Sequence, residues 1–178
     1  MPATGETPER VTVRAATAAD GEALRVLERA AGERFREVGM GEVADDDPMA
    51  LDELAAYAAD GRSWVADAGG TTIGYLLVDL VDGCAHVEQI SVHPDHQGRG
   101  IGRALLHHVA AWAADRHLAA VTLTTFRDVP WNAPLYRHLG FVDLDPSVWG
   151  PELRALVAAE AAHGLDPDTR VCMRRALP

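Results

Sequence analysis

The sequence predicts a mixed α/β domain, a sheet of about seven strands interleaved with helices. Three patterns carry that prediction. Residues 63–67, 72–80 and 85–92 are apolar, β-branched runs at hairpin spacing. Ala68-Gly69-Gly70 and Asp82-Gly83 join them, residues suited to backbone at positive φ. The last of these runs feeds a turn with glycine at 98, 100 and 102, after which a helical period continues to about residue 117. A β-branched run, a short helix and two more strand patterns separated by a helix complete the chain.

Taken in order, residues 1–9 are polar and proline-containing, as expected of a loose terminus. Residues 11–14 alternate as a strand. Thr17-Ala18-Ala19-Asp20 reads as a capping box that opens a helix with Leu24, Leu27 and Ala31 on one face. Residues 39–48, which hold Glu42, Asp45, Asp46 and Asp47, read as a loop before a short helix at 49–59. After the three-strand meander, Ile101, Leu105, Val109 and Trp112 form the buried stripe of the long helix. Residues 120–126 are the next strand. Asn132, with Pro134 just after it, starts a short helix that Gly140 closes. A strand at 141–144 follows, then a helix from Gly150-Pro151 to about His163 that Gly164 ends, and a last strand at 170–174.

At 178 residues the chain is one domain, 1–178, able to bury roughly 70% of its unfolded surface without disulfide staples. Cys84 and Cys172 lie in apolar strand-like runs and read as small core residues. No signal segment opens the chain and no apolar run nears the ~20 residues of a membrane helix, so a cytoplasmic protein with no membrane partner is expected. The balance of 16 basic and 27 acidic residues gives a net charge of −11, and every basic residue is arginine. With no lysine, Schiff-base chemistry on lysine and a phosphate-loop lysine are excluded. A domain this acidic is a poor partner for nucleic acid and suits cationic small molecules or basic peptides.

The turn after the meander carries the chemistry. A strand ending in glycines at a helix start offers unpartnered N–H groups and the positive end of the helix dipole to an anion. Glycines also let a phosphate come close to the main chain. A sharp structural turn is the plain alternative. The dinucleotide fingerprint needs a different glycine spacing and an acidic residue about 20 positions on, where Thr122 stands in a β run. No His-Glu-x-x-His pattern occurs, His107 and His108 diverge on one helix, and no metal is expected.

Val92-x-Pro94 followed by Gln97-x-x-Gly100-x-Gly102 resembles the acyl-CoA diphosphate turn of the GNAT N-acetyltransferase family, and Tyr136-x-x-x-Gly140-Phe141 resembles its second signature. The likeness covers nearly the whole chain. It implies the acyl-CoA N-acyltransferase fold, with a mixed, mostly antiparallel sheet, and transfer of an acetyl group from acetyl-CoA to a primary amine. By resemblance, Gln97, Gly98, Arg99, Gly100, Gly102 and Arg103 hold the diphosphate. Ile90 and Val92 pair with the pantetheine arm as an added strand would. Asn132 meets the pantetheine amide, although its short spacing to Tyr136 differs from the commoner family pattern. Glu88 is the implied general base and Tyr136 the acid that meets the leaving thiolate. His86, two residues before Glu88 on the same face, is a second candidate base.

The helix at 151–163 departs from the minimal family pattern, and its role stays open. The acidic stretch 42–47 lies where the family faces its acceptor, which suggests attraction of a cationic amine. Family members often form homodimers. The competing reading is a silent module that binds CoA as a sensor without turnover.

Overall fold

The computed structural model describes residues 10–178, so the expected loose terminus 1–9 lies outside the described residues. Its strands are β1 (Val11–Ala15), β2 (Ser63–Ala68), β3 (Thr71–Val81), β4 (Cys84–Val92), β5 (Val121–Phe126), β6 (Val142–Asp143) and β7 (Arg170–Arg175). They form one sheet in the order β1-β2-β3-β4-β5-β7-β6. The β1–β2, β5–β7 and β6–β7 pairs are antiparallel, and β4–β5 is parallel. The helices are α1 (Gly21–Gly32), α2 (Gly41–Asp45), α3 (Leu51–Ala59), α4 (Ile101–Asp115), α5 (Ala133–His138) and α6 (Pro151–Ala162). Among the described residues no helix is long and apolar enough to cross a membrane.

The chain divides into two compact units: residues up to Leu76 with Ile90–Leu105, and Leu77–Gln89 with Leu106–Pro178. In the first unit the capping box at Thr17 forms, but around a 3₁₀ turn, Ala18–Asp20, that precedes α1. Its anchor is Asp20, which takes the Thr17 N–H at 2.7 Å and Arg14 Nη2 at 2.8 Å. The Arg14 hydrogen bond above all holds the Asp20 carboxyl down at about 2, against the cost of burial. Leu24 and Leu27 bury the inner face of α1. The stretch expected as a loop over 39–48 contains a helical turn instead. Gly39, at φ +76°, ends a 3₁₀ segment, Glu33–Val38, and Arg36 then clasps Asp45 at the end of α2. The register Val11↔Ala68 to Ala15↔Trp64 sets β1 on β2. Gly74 in β3 lets α4 come close, because a Cβ there would lie 3.0 Å from Ile101 Cγ2 and 3.3 Å from the Ser91 carbonyl.

In the second unit β5 and β7 pair along their whole lengths, Val121↔Arg175 to Phe126↔Arg170. The β4–β5 ladder is shorter. It covers Ala85↔Val121, His86↔Thr122 and Val87↔Leu123, while β4 runs on to Val92 and β5 to Phe126. Helix α6 is clamped at its start by the β3–β4 turn. Asp82 accepts from the Glu152 N–H (3.1 Å) and the Leu153 N–H (2.9 Å), and its own N–H donates back to the Glu152 carboxylate. This is a capping pair supplied from a distant turn. Leu153, Val81 and Cys172 form a small apolar cluster, with Leu156, Val157 and Trp149 packed against it.

Candidate functional site

The glycine turn belongs to the first unit. After β4 the chain makes a 3₁₀ turn, Pro94–His96, and then passes through Gly98 at φ +74° and Gly100 at φ +80°. An L side chain is strained in that left-handed region, which accounts for two of the three glycines. Helix α4 makes its first internal bond from the Ala104 N–H to the Gly100 carbonyl at 3.0 Å. The N–H groups of Ile101, Gly102 and Arg103 therefore have no partner within the helix. Gly102 has an ordinary helical backbone, and an added Cβ would rest 3.9 Å from Ile90 Cδ1 and Val92 Cγ2. Packing tolerates alanine there, so neither backbone nor packing requires this glycine. Gly98 and Gly100 face open space. These residues fit a diphosphate: free amides, a helix N-terminus, and no side chain to block approach.

The Gln97 side chain is engaged within the turn. Its Nε2 donates to the Val92 carbonyl (3.2 Å) and its Oε1 accepts from Arg34 Nη1 (3.1 Å), so this side chain braces the turn. Arg99 and Arg103 are exposed, and Ile90 and Val92 are half-buried. A groove of about 390 Å³ flanks the turn, lined by Val11, Val13, Ala68, His96, Arg99 and Gly100.

The candidate bases belong to the second unit, and the structure separates them. His86 is only 1% exposed, its Nδ1 lies 2.9 Å from Thr122 Oγ1, and burial lowers its pKa to about 4. It is a neutral core imidazole. Glu88 lies one residue beyond the β4–β5 ladder, and its side chain is open to solvent. Even so, its carboxyl is pushed up to about 6, first by desolvation and then by the like charges of Asp79 and Glu160, while Arg170 opposes. That value suits a base working near neutral pH.

Tyr136 is buried on α5, 9% exposed, with its ring set edge-on to Phe141 at 5.6 Å. Burial raises its hydroxyl to about 12, so the phenol keeps its proton. Asn132 occupies the N-cap of α5 but makes no side-chain capping bond, which leaves its amide available. The acidic stretch is exposed and partly ion-paired, Asp45 with Arg36 and Asp47 with Arg29. Among the described residues no group of three metal-ligating side chains converges.

Sequence reasoning missed Asp79, Glu160 and Arg170 around Glu88. Only the unexplained helix at 151–163 hinted at one of them.

Against known proteins, residues 24–141 match the profile of the "Acetyltransferase (GNAT) family". The chain is 36% identical over 115 residues to a streptothricin acetyltransferase of Streptomyces lavendulae, a match covering 60% of this chain and 57% of the relative. It is 35% identical over 153 residues to an aminoglycoside N(6')-acetyltransferase type 1 of Stenotrophomonas maltophilia, covering 78% and 90%. The chain thus spans little more than half the length of the first of these relatives. The ribosomal-protein-S18-alanine N-acetyltransferase of Escherichia coli shares the fold, at TM-score 0.65 and 19% identity over 94% of each chain.

Proposed function

The chain belongs to the GNAT family of acetyltransferases, and on that premise we propose that it moves an acetyl group from acetyl-CoA to a primary amine by direct attack. The observation that carries the reading is β4 itself. One strand presents Glu88 where its ladder with β5 stops, and then runs into a glycine turn at the start of a long helix.

In this reading the amides of Gly98, Gly100 and Gly102 and the side chains of Arg99 and Arg103 hold the diphosphate. The main chain at Ile90 and Val92 aligns the pantetheine arm, and Asn132 meets one of its amides. Glu88 takes a proton from the substrate ammonium, directly or through a water. The freed amine attacks the thioester carbonyl, whose oxygen is polarised by a backbone N–H near Ile90 to Val92. The carbon–sulfur bond breaks, the sulfur leaves toward Tyr136, and the proton shed by the acetylated nitrogen neutralises the thiolate, so the products are the amide and the free CoA thiol. A phenol at about 12 is a weaker acid than an ordinary thiol near 8.5. Tyr136 therefore contributes first by hydrogen-bonding the sulfur as negative charge develops. No covalent enzyme intermediate is involved, because both cysteines have raised pKa values: Cys84 by burial, and Cys172 by burial to about 12.

The acceptor class follows from charge. At net −11 the protein favours a cationic amine, as in the amine antibiotics for which the two relatives are named. The reading takes the protein as cytoplasmic, and a homodimer is one assembly that the family resemblance allows. The test is thiol release from acetyl-CoA across an amine panel, with Glu88→Gln and Tyr136→Phe beside the parent. The reading holds if release depends on an amine and both variants lose it. CoA binding without turnover on any amine would make the protein a sensor, and no CoA binding would end the assignment.

A further inference from the structure

The sequence left α6 without a role. The structure holds that helix at both ends. Its first turn is capped by Asp82, and Gly150 must be glycine because a Cβ there would lie 2.3 Å from Asp82 Cγ. Near its last turn, Glu160 accepts a hydrogen bond from Thr124 Oγ1 and pairs with Arg170 Nη2 at 3.2 Å. Arg170 Nη2 also reaches Thr124 Oγ1 at 3.1 Å, and the guanidinium stacks 4.7 Å over the Phe126 ring. Thr124 follows Leu123 on β5 as Glu88 follows Val87 on β4, so both lie one step past the last pair of the parallel ladder. Helix α6 therefore delivers a carboxylate to the β5 residue that flanks the end of the ladder, as the candidate base flanks it on β4.

We propose that Glu160 is a positioning residue: α6 brings its carboxylate to Thr124 and Arg170, one step past the last β4–β5 pair, and so fixes part of the charge that Glu88 faces. This deepens the acetyltransferase reading and rests on Glu88 as its base. The charged groups that act on Glu88 come from three elements, Asp79 on β3, Glu160 on α6 and Arg170 on β7, and the nearest titratable group on its own strand is His86. His86 stays neutral above about 4, so only two carboxylates and one guanidinium carry charge at working pH. Asp79 and Glu160 repel a second negative charge, and Arg170 attracts it. Glu160 thus works in two ways, by repelling the Glu88 carboxylate and by neutralising the cation that would stabilise it.

The experiment uses the full chain and reads Glu88 twice. One readout is the ¹³C titration of its carboxyl. The other is the acid limb of kcat/KM against pH, with acetyl-CoA and the best amine of the panel. Glu160→Gln keeps an acceptor for Thr124 and Arg170 but removes the charge. It should lower the Glu88 pKa by about half a unit or more in both readouts. Arg170→Gln should move it upward, an opposite sign that loosened packing does not produce. If either folded variant leaves the titration in place, or if both move it the same way, the proposal is overturned. Glu88→Gln separates this failure from that of the reading beneath it. Should that variant keep the parent rate and profile, Glu88 is not the base, and the titration still reports whether Glu160 sets its proton affinity.

Discussion

Gly102→Ala is the sharpest test of the diphosphate turn, because structure and function predict opposite signs. Gly102 sits in the first turn of α4 with ordinary backbone angles, and a methyl group there would touch Ile90 Cδ1 and Val92 Cγ2 at 3.9 Å, an unstrained contact. Alanine is a better helix former than glycine by up to about 1 kcal/mol, so the variant should melt at the same temperature or up to roughly 4 °C higher. On the proposed reading the same methyl group would crowd a diphosphate seated on the N–H groups that have no partner in the helix. Losing one charge-assisted hydrogen bond to a diphosphate costs about 1.5–3 kcal/mol, or roughly 10- to 150-fold in Kd for CoA. Calorimetric titration with CoA, beside a thermal melt, reads both quantities on one sample. Unchanged affinity in a protein of equal or higher stability would refute the idea that this glycine clears space for a ligand. Gly100→Ala is the contrast. At φ +80° it should lose about 1–2 kcal/mol of stability, whatever it does to binding.

Other outcomes follow from the same contacts. Glu88→Gln should lower kcat about 10²- to 10⁴-fold at neutral pH, the usual worth of a positioned base, with CoA affinity retained in calorimetry. The raised Glu88 pKa means that folding favours the protonated form. Its stabilisation is present below the ordinary pKa of 4.5 and is lost as pH rises through about 6. Glu88→Gln should therefore melt higher than the parent at pH 8, and the gap should close by pH 4. Asp20 runs the other way. Its depressed pKa contributes stability above 3.8 that is lost as pH falls through about 2, so the deficit of Asp20→Asn should shrink on acid titration monitored by circular dichroism. Gly150→Ala should cost about 1–2 kcal/mol in denaturant melts, because its Cβ would displace Asp82 from the α6 cap while the backbone, at φ −75°, has no objection.

Much of this protein is legible along the chain, because local rules govern those parts. Asp82-Gly83 and Gly69-Gly70 take positive φ as hairpin chemistry requires, so the meander was readable within a residue at each end. The glycine turn was equally plain, since Gly98 and Gly100 are needed by the backbone itself. The short α2 was not, because five residues carry too little helical period to show, and its Asp45 meets Arg36 only once the chain has turned. The bonds of the Gln97 side chain to Val92 and Arg34 were equally hidden, because Arg34 is remote in sequence.

The choice between His86 and Glu88 marks the boundary most clearly. Period-2 alternation puts both on one face of β4 and can say no more. The tertiary structure sets them apart, because the ladder with β5 still covers His86 and stops before Glu88. One is left a buried, neutral ring and the other an exposed residue whose carboxyl is still partly desolvated. The charges around that carboxyl arrive on β3, α6 and β7, elements remote in sequence. Spacing along one strand determines which way a side chain points. Its proton affinity is set by whatever the rest of the fold carries to within Coulomb reach, and no local pattern encodes that.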